Sequence, residues 1–365
     1  MPSLRGIDDR QLPLRAWLHE QAGVLLRKLR VRADPVELPP PPFLELTLRA
    51  RSTAKAAAEL RIDADYAFAS YAERRALYTD FLTGFLIPRT TIWSGDDLMI
   101  RVNSLGCRGD ELETGRPVVA FFGDSTTLGV IGTADGLTGD SWTNHVDLPE
   151  YAVLNAGVEG LRMESVGTRY RSLRDRIPLA CAVFYTGWHN LIYNERTPEH
   201  WEACLRSYLS PDHLTAICTL PSALLPEMRE RGIAPLLNEN PTVGITEDYF
   251  NFWGDWEHDR WLGEAVDALE RFNAYVIDFC RRTETPLIDL RGYMYPDDFQ
   301  SATRDFFDIC HFRPRAYSQV GAFMSNELRR ILPATPPAID DWRPIHASAT
   351  AGSSEDLRRN IYPIW

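Results

Sequence analysis

Pro117-Val-Val-Ala-Phe-Phe-Gly-Asp-Ser-Thr-Thr-Leu-Gly129 begins as an apolar run rich in Val and Phe and ends abruptly at a glycine. That composition predicts a short buried strand, stopped at Gly123. Asp124 and Ser125 follow, and Thr126, Thr127 and Leu128 read as the first turn of a helix. A serine on a tight strand-to-helix turn lifts its hydroxyl clear of the sheet end. The backbone N–H groups of the helix start then face whatever the serine attacks. The same residues also suit a plain helix N-cap, where Asp and Ser are both favoured.

Downstream of Pro117 the pattern is strand, loop and helix, repeated. Strands are expected at Tyr151–Asn155, Leu179–Tyr185 and Pro286–Leu290, and helices at Glu164–Arg176, Gly254–Arg282 and Ala316–Leu332. Such alternation implies an α/β protein with a parallel sheet and helices on both faces. Ligands of such sheets sit beyond the carboxyl ends of the strands. Ser125, Gly157 and the turn 187–190 all fall there. The interval 197–253 breaks the alternation; it carries six prolines and ends in an aromatic cluster around Trp253. It reads as an insertion beside the site, either a lid or a surface embellishment.

Residues 1–100 read as a mostly helical accessory region. Gln11–Arg32 has its leucines at helical spacing, which predicts a helix docked on the protein's own surface or, alternatively, lying in a membrane interface. Glu37–Pro42 is a stiff proline connector, 50–62 and 64–84 look helical, and Thr90–Val102 alternates like a strand. Arg101–Glu111 is polar, with turns expected at Gly106 and Gly109; Arg108 reads as an anion ligand or as a surface ion-pair residue. The tail 333–365 is expected to run over the surface, with its apolar end docked at home or on a second subunit.

Composition narrows the function. A net charge of −12 argues against non-specific nucleic-acid binding and suits an anionic membrane surface poorly. The six cysteines show no CxxC pair and no zinc-finger spacing, so they are expected as scattered, reduced core thiols. The polar N-terminus and the lack of any 18-residue apolar run lead to the expectation of a cytoplasmic protein without a membrane span.

Phe306-Phe-Asp-Ile-Cys-His-Phe312 adds a second chemical signal. A carboxylate three residues before a histidine can hold the imidazole Nδ1–H. Nε2 is then left to accept a serine proton. A metal site is the competing reading, but no second His or Cys pair at ligand spacing accompanies it.

Together, Gly123-Asp124-Ser125, Asn155-Ala156-Gly157, Gly187-Trp188-His189-Asn190 and Asp308-x-x-His311 resemble, in order, the four blocks of the SGNH (GDSL-type) hydrolase family. Asn103-Ser-Leu-Gly-Cys-Arg-Gly109 is similar to a segment that precedes the first block in one bacterial branch. The resemblance spans 101–332 and implies a three-layer, flavodoxin-like α/β core, beside the mostly helical N-terminal extension. It also implies Ser125 as nucleophile, His311 as base and Asp308 as its orienter. The oxyanion hole would draw on the backbone N–H groups of Ser125 and Gly157 and on a side chain of the third block. That block departs from the family's Gly-x-Asn-Asp: His189 stands at the Asn position and Asn190 at the Asp position. Either side chain could complete the hole, or the hole is weakened. Trp188 and Asp124 are candidate substrate contacts, Asp124 also being placed to brace the turn.

The expected activity is an acyl-serine esterase or deacylase acting on an O-acylated sugar or small metabolite. An acyltransferase on the same triad and a non-catalytic carbohydrate or small-molecule binding module are the alternatives. No metal or cofactor is expected, and a homo-oligomer is left open. GxSxG, GxGxxG, Walker A and HExxH motifs are all missing from the sequence.

Overall fold

Val118–Gly123 (β4) is buried at every position, as a strand covered on both faces must be. It is the second strand of a five-stranded parallel sheet in the computed structural model. The sheet's order is β5 (Ala152–Asn155), β4, β6 (Leu179–Tyr185), β7 (Leu214–Cys218) and β8 (Leu287–Ile288). The described residues are 60–63, 79, 85–94, 96–113, 115–129, 139–192, 197–224, 230, 258–297, 299–306, 309–337 and 339. All lie between Ala58 and Thr350, one of the two units into which the chain divides. The expected 11–32 helix, the proline connector, the helix 64–84 apart from Thr79 and most of the tail lie outside them.

Numbered from β4, the strand order is 2-1-3-4-5, the doubly wound flavodoxin-like order. The two faces can be read from β4 and β6, whose register sets Phe122 beside Phe184 and Gly123 beside Tyr185. Phe122 and Phe184 meet Tyr170 of α2 (Met163–Arg174), and Phe184 stacks on Tyr208 at 4.0 Å. On that side α2 packs with α4 (Pro198–Arg206), and α4 packs with α5 (His258–Thr283). Phe121 and Tyr185 point the other way, against Trp142 of the 3-10 helix Trp142–His145. This second face is closed by α8 (Pro314–Ile331), which packs on the 3-10 helix. The three layers expected from the alternation are therefore present. Short helices α1 (Ser125–Leu128), α3 (Trp188–Ile192), α6 (Leu290–Tyr293) and α7 (Phe299–Asp305) complete the described set.

Two expectations are corrected. The stretch 197–253, expected as an insertion, contains α4 and the core strand β7. Prolines 211 and 221 flank a strand of only five residues, Leu-Thr-Ala-Ile-Cys, which disguised it as broken loop. Upstream, Leu60–Asp63 is a strand (β1) where a helix was expected to 62, and Thr90–Val102 holds two strands. These are β2 (Thr90–Ser94) and β3 (Asp97–Arg101), paired antiparallel, with β1 parallel to β2 in a separate small sheet. The β-branched residues Thr90, Thr91 and Ile92 favour this pairing over helix.

The six cysteines are all buried thiols. Burial pushes the Cys181 thiol up to about 12, so it stays protonated and unreactive. No helix among the described residues is long and apolar enough to cross a membrane.

Candidate active site

The order of the sheet reverses between β4 and β6, since β4 leads outward to β5 while β6 leads to β7. A crevice opens beyond the carboxyl ends of two such strands. Ser125 follows β4 directly, and His189 and Asn190 follow β6.

Gly123 can only be glycine here. A Cβ at this position would lie 2.1 Å from both Thr127 Oγ1 and Tyr185 O. The close approach turns the chain sharply into α1, with Ser125 as its first residue. A four-residue helix has no stability of its own, and neighbours hold each of its polar ends. Asp124 Oδ1 accepts from the Thr126 N–H at 3.0 Å and from its hydroxyl at 2.6 Å. The Ser125, Thr126, Thr127 and Leu128 carbonyls accept, in turn, from Gly129 N–H, Trp142 Nε1, Asn155 Nδ2 and Arg108 Nη1. Among the described residues no acceptor takes the Ser125 N–H, which leaves it as a donor at the helix start.

Arg108 is buried, and its guanidinium also donates to the Gly139 and Asp140 carbonyls. It therefore clamps backbone on both sides of 130–138. Neither Trp142 nor Arg108 could be found by sequence pattern, because their partners are backbone carbonyls that any sequence would offer.

His311 Nε2 lies 2.7 Å from Ser125 Oγ. Both residues are buried, at 7% and 5% exposure, so the pair is largely shielded from water. Ile309 in the same loop accepts through its carbonyl from Ser222 Oγ at 2.7 Å and Ala223 N–H at 3.1 Å. The residues after β7 thus position the histidine, and Pro314 at the start of α8 ends its loop. The Cys310 thiol is 3.6 Å from His311 Nδ1. Asp308, expected to hold that nitrogen, lies outside the described residues.

Gly157 follows β5 and packs on α1 so closely that a Cβ would come within 2.4 Å of the Leu128 nitrogen. Its N–H donates to Asn155 Oδ1 at 3.0 Å, so an incoming oxyanion has to share or displace that bond. Asn190 is engaged with the helices behind the sheet end. Its Oδ1 accepts from Met163 N–H at 2.8 Å, and its NH2 group faces Glu164 Oε2 at 3.2 Å and His200 Nε2 at 3.1 Å. This binds the third block to α2 and α4. His189, next to it, is half-buried.

Asp124 and Trp188, expected to touch substrate, are buried at 0% and 2% exposure. Burial pushes the Asp124 carboxyl above the usual range, against the pull of its Thr126 bonds and of the charge His311 can carry. Its Oδ2 is buried with no hydrogen-bond partner among the described residues. The structure thus brings Ser125 and His311 together, wraps the serine turn in side chains, and places Asp124 within the imidazole's field.

No family model matches the chain, and no curated protein matches it. Several solved structures are similar in part. One is a lipase/acylhydrolase from Enterococcus faecalis, at 18% identity and a TM-score of 0.39, covering 61% of this chain and 100% of that one. Another is a member of the lipolytic protein G-D-S-L family from Veillonella parvula, at 11% identity and a TM-score of 0.40, covering 59% and 97%. A third is an aryl esterase of M. smegmatis, at 16% identity and a TM-score of 0.39, covering 59% and 100%. At such identities and TM-scores these likenesses assign neither activity nor residue roles to this chain.

Proposed function

We propose that the chain is a serine esterase or deacylase of the SGNH type, working through an acyl-serine intermediate. The observation that carries this reading is the 2.7 Å contact between Ser125 Oγ and His311 Nε2 at the reversal of strand order. In the proposed reaction His311 Nε2 takes the hydroxyl proton as Ser125 Oγ attacks an ester carbonyl. The tetrahedral oxyanion is held by the Ser125 N–H, by the Gly157 N–H once it leaves Asn155 Oδ1, and by a side chain of the third block. His311 then protonates the departing alcohol, and water, activated by the same imidazole, releases the acid. Asp308 is proposed as the residue that fixes the imidazole tautomer. O-acylated sugars or small metabolites are the proposed substrates.

A serine-directed fluorophosphonate tests the assignment directly. It should label Ser125 at one per chain, and Ser125→Ala should abolish labelling and lower short-chain ester hydrolysis by several orders of magnitude. Unchanged hydrolysis by the alanine variant would remove Ser125 as the nucleophile.

A further inference from the structure

Behind the third block, three side chains of different chemistry converge on one ring nitrogen. His200 and Cys204 stand four residues apart on α4 and so share one face of that helix. Glu164 projects from the first turn of α2, which packs against α4. His200 Nε2 is 2.9 Å from Glu164 Oε1 and 3.7 Å from Cys204 Sγ. The three ligand atoms all lie within 4.8 Å of one another. We propose that Glu164, His200 and Cys204 form a binding site for a zinc-class divalent ion.

The geometry is close to what such an ion needs. Tetrahedral zinc with ordinary bond lengths sets its nitrogen and oxygen ligands about 3.4 Å apart and its sulfur and nitrogen ligands about 3.6 Å apart. Small side-chain rotations reach both from the separations present. A single Nε2 proton can serve only one acceptor, yet this nitrogen faces a carboxylate and a thiol, with the Asn190 amide also 3.1 Å away. A cation satisfies carboxylate, thiolate and imidazole together. A thiolate with an imidazole selects zinc-class ions over magnesium or calcium.

The supporting shell is also in place. Asn190 Nδ2 contacts the other carboxylate oxygen of Glu164 and can orient it. The Glu164 and His200 side chains are 25% and 30% exposed, which gives the ion a route in and water the fourth position. Bound metal would cross-link α2 to α4. It would also occupy the Nε2 lone pair and so release the Asn190 amide from His200. The site stands independently of the role of Ser125.

Cobalt titration of the reduced, chelator-treated full chain tests the proposal. One Co2+ should bind per chain, with a thiolate-to-cobalt charge-transfer band that Zn2+ displaces. Cys204→Ser should abolish the band, while Glu164→Gln and His200→Gln should each weaken binding by at least about tenfold. Zinc should raise the melting temperature of the wild-type chain by mass action and leave that of Cys204→Ser unmoved. The proposal is overturned if no stoichiometric uptake occurs. It is equally overturned if the band survives in Cys204→Ser or, should that variant not fold, if both Gln variants bind like wild type. Fluorophosphonate labelling of Ser125 in the same samples reports separately on the proposed esterase.

Discussion

Asp124 carries two opposed demands. Its Oδ1 caps α1, which favours a side-chain acceptor, while Oδ2 is buried with no partner among the described residues. Burial raises its pKa above the ordinary carboxylate range, so the native state holds this proton to higher pH than the unfolded chain does. Stability from this group is therefore complete below the unfolded value and is lost as pH rises through the raised folded value. Asp124→Asn keeps the capping oxygen and removes the buried charge. Its melting temperature relative to the wild type should be higher at pH 8 than at pH 5, because the advantage grows only as the pH rises through the raised folded value. In the proposed reaction the imidazolium formed on His311 would lose a neighbouring anion wherever Asp124 is ionised, so kcat should fall by about tenfold above the raised folded value. Melting curves at the two pH values settle the stability half. A variant equally destabilised at both would show that the cap needs a carboxylate.

At the scale of elements, α1 is held by what surrounds it. Its carbonyls are taken by Trp142, Asn155 and Arg108, which come from three different parts of the chain. Arg108→Ala leaves several buried carbonyls without a donor, at a cost of at least about 1–3 kcal/mol. Arg108→Lys should recover only part of this, since an ammonium lacks the planar fork that reaches both sides of 130–138. Urea unfolding of the two variants measures the difference; equal midpoints for lysine and wild type would reduce the clamp to a point charge. The sequence pattern carried β4, β6, α2 and α8 because each is a local signal: a continuous apolar run, or apolar residues at helical spacing. It missed β7, whose five residues are bracketed by prolines, and so missed that Ser222 and Ala223 hold the His311 loop. Ser125 and His311 were legible as residue types in the expected order. The engagement of Asn190 with Glu164 and His200 was not, because it depends on how α2 and α4 pack.

At the scale of the molecule, the doubly wound order places the serine turn and the histidine loop at one sheet end, although 186 residues separate them. The last helix closes that distance. α8 begins at Pro314, three residues after His311, and runs back across the face that carries the 3-10 helix. Its seat depends on Gly321, where a Cβ would lie 2.5 Å from His145 Cβ and 2.6 Å from the His145 carbonyl carbon. Backbone cannot yield as a flexible side-chain tip does, so Gly321→Ala has to push α8 off the 3-10 helix. Overpacking of this kind costs about 1–3 kcal/mol. The displacement starts two turns from the His311 loop and should be felt there, because the loop is fixed at its other side through Ile309. Gly321→Ala should therefore lose both melting temperature and kcat, the second by about tenfold or more through a misaligned Ser125–His311 pair. Gln319→Ala, on the exposed side of the same helix, should change neither. If Gly321→Ala loses stability but hydrolyses short esters at the wild-type rate, the histidine is positioned by the β7 side of its loop alone.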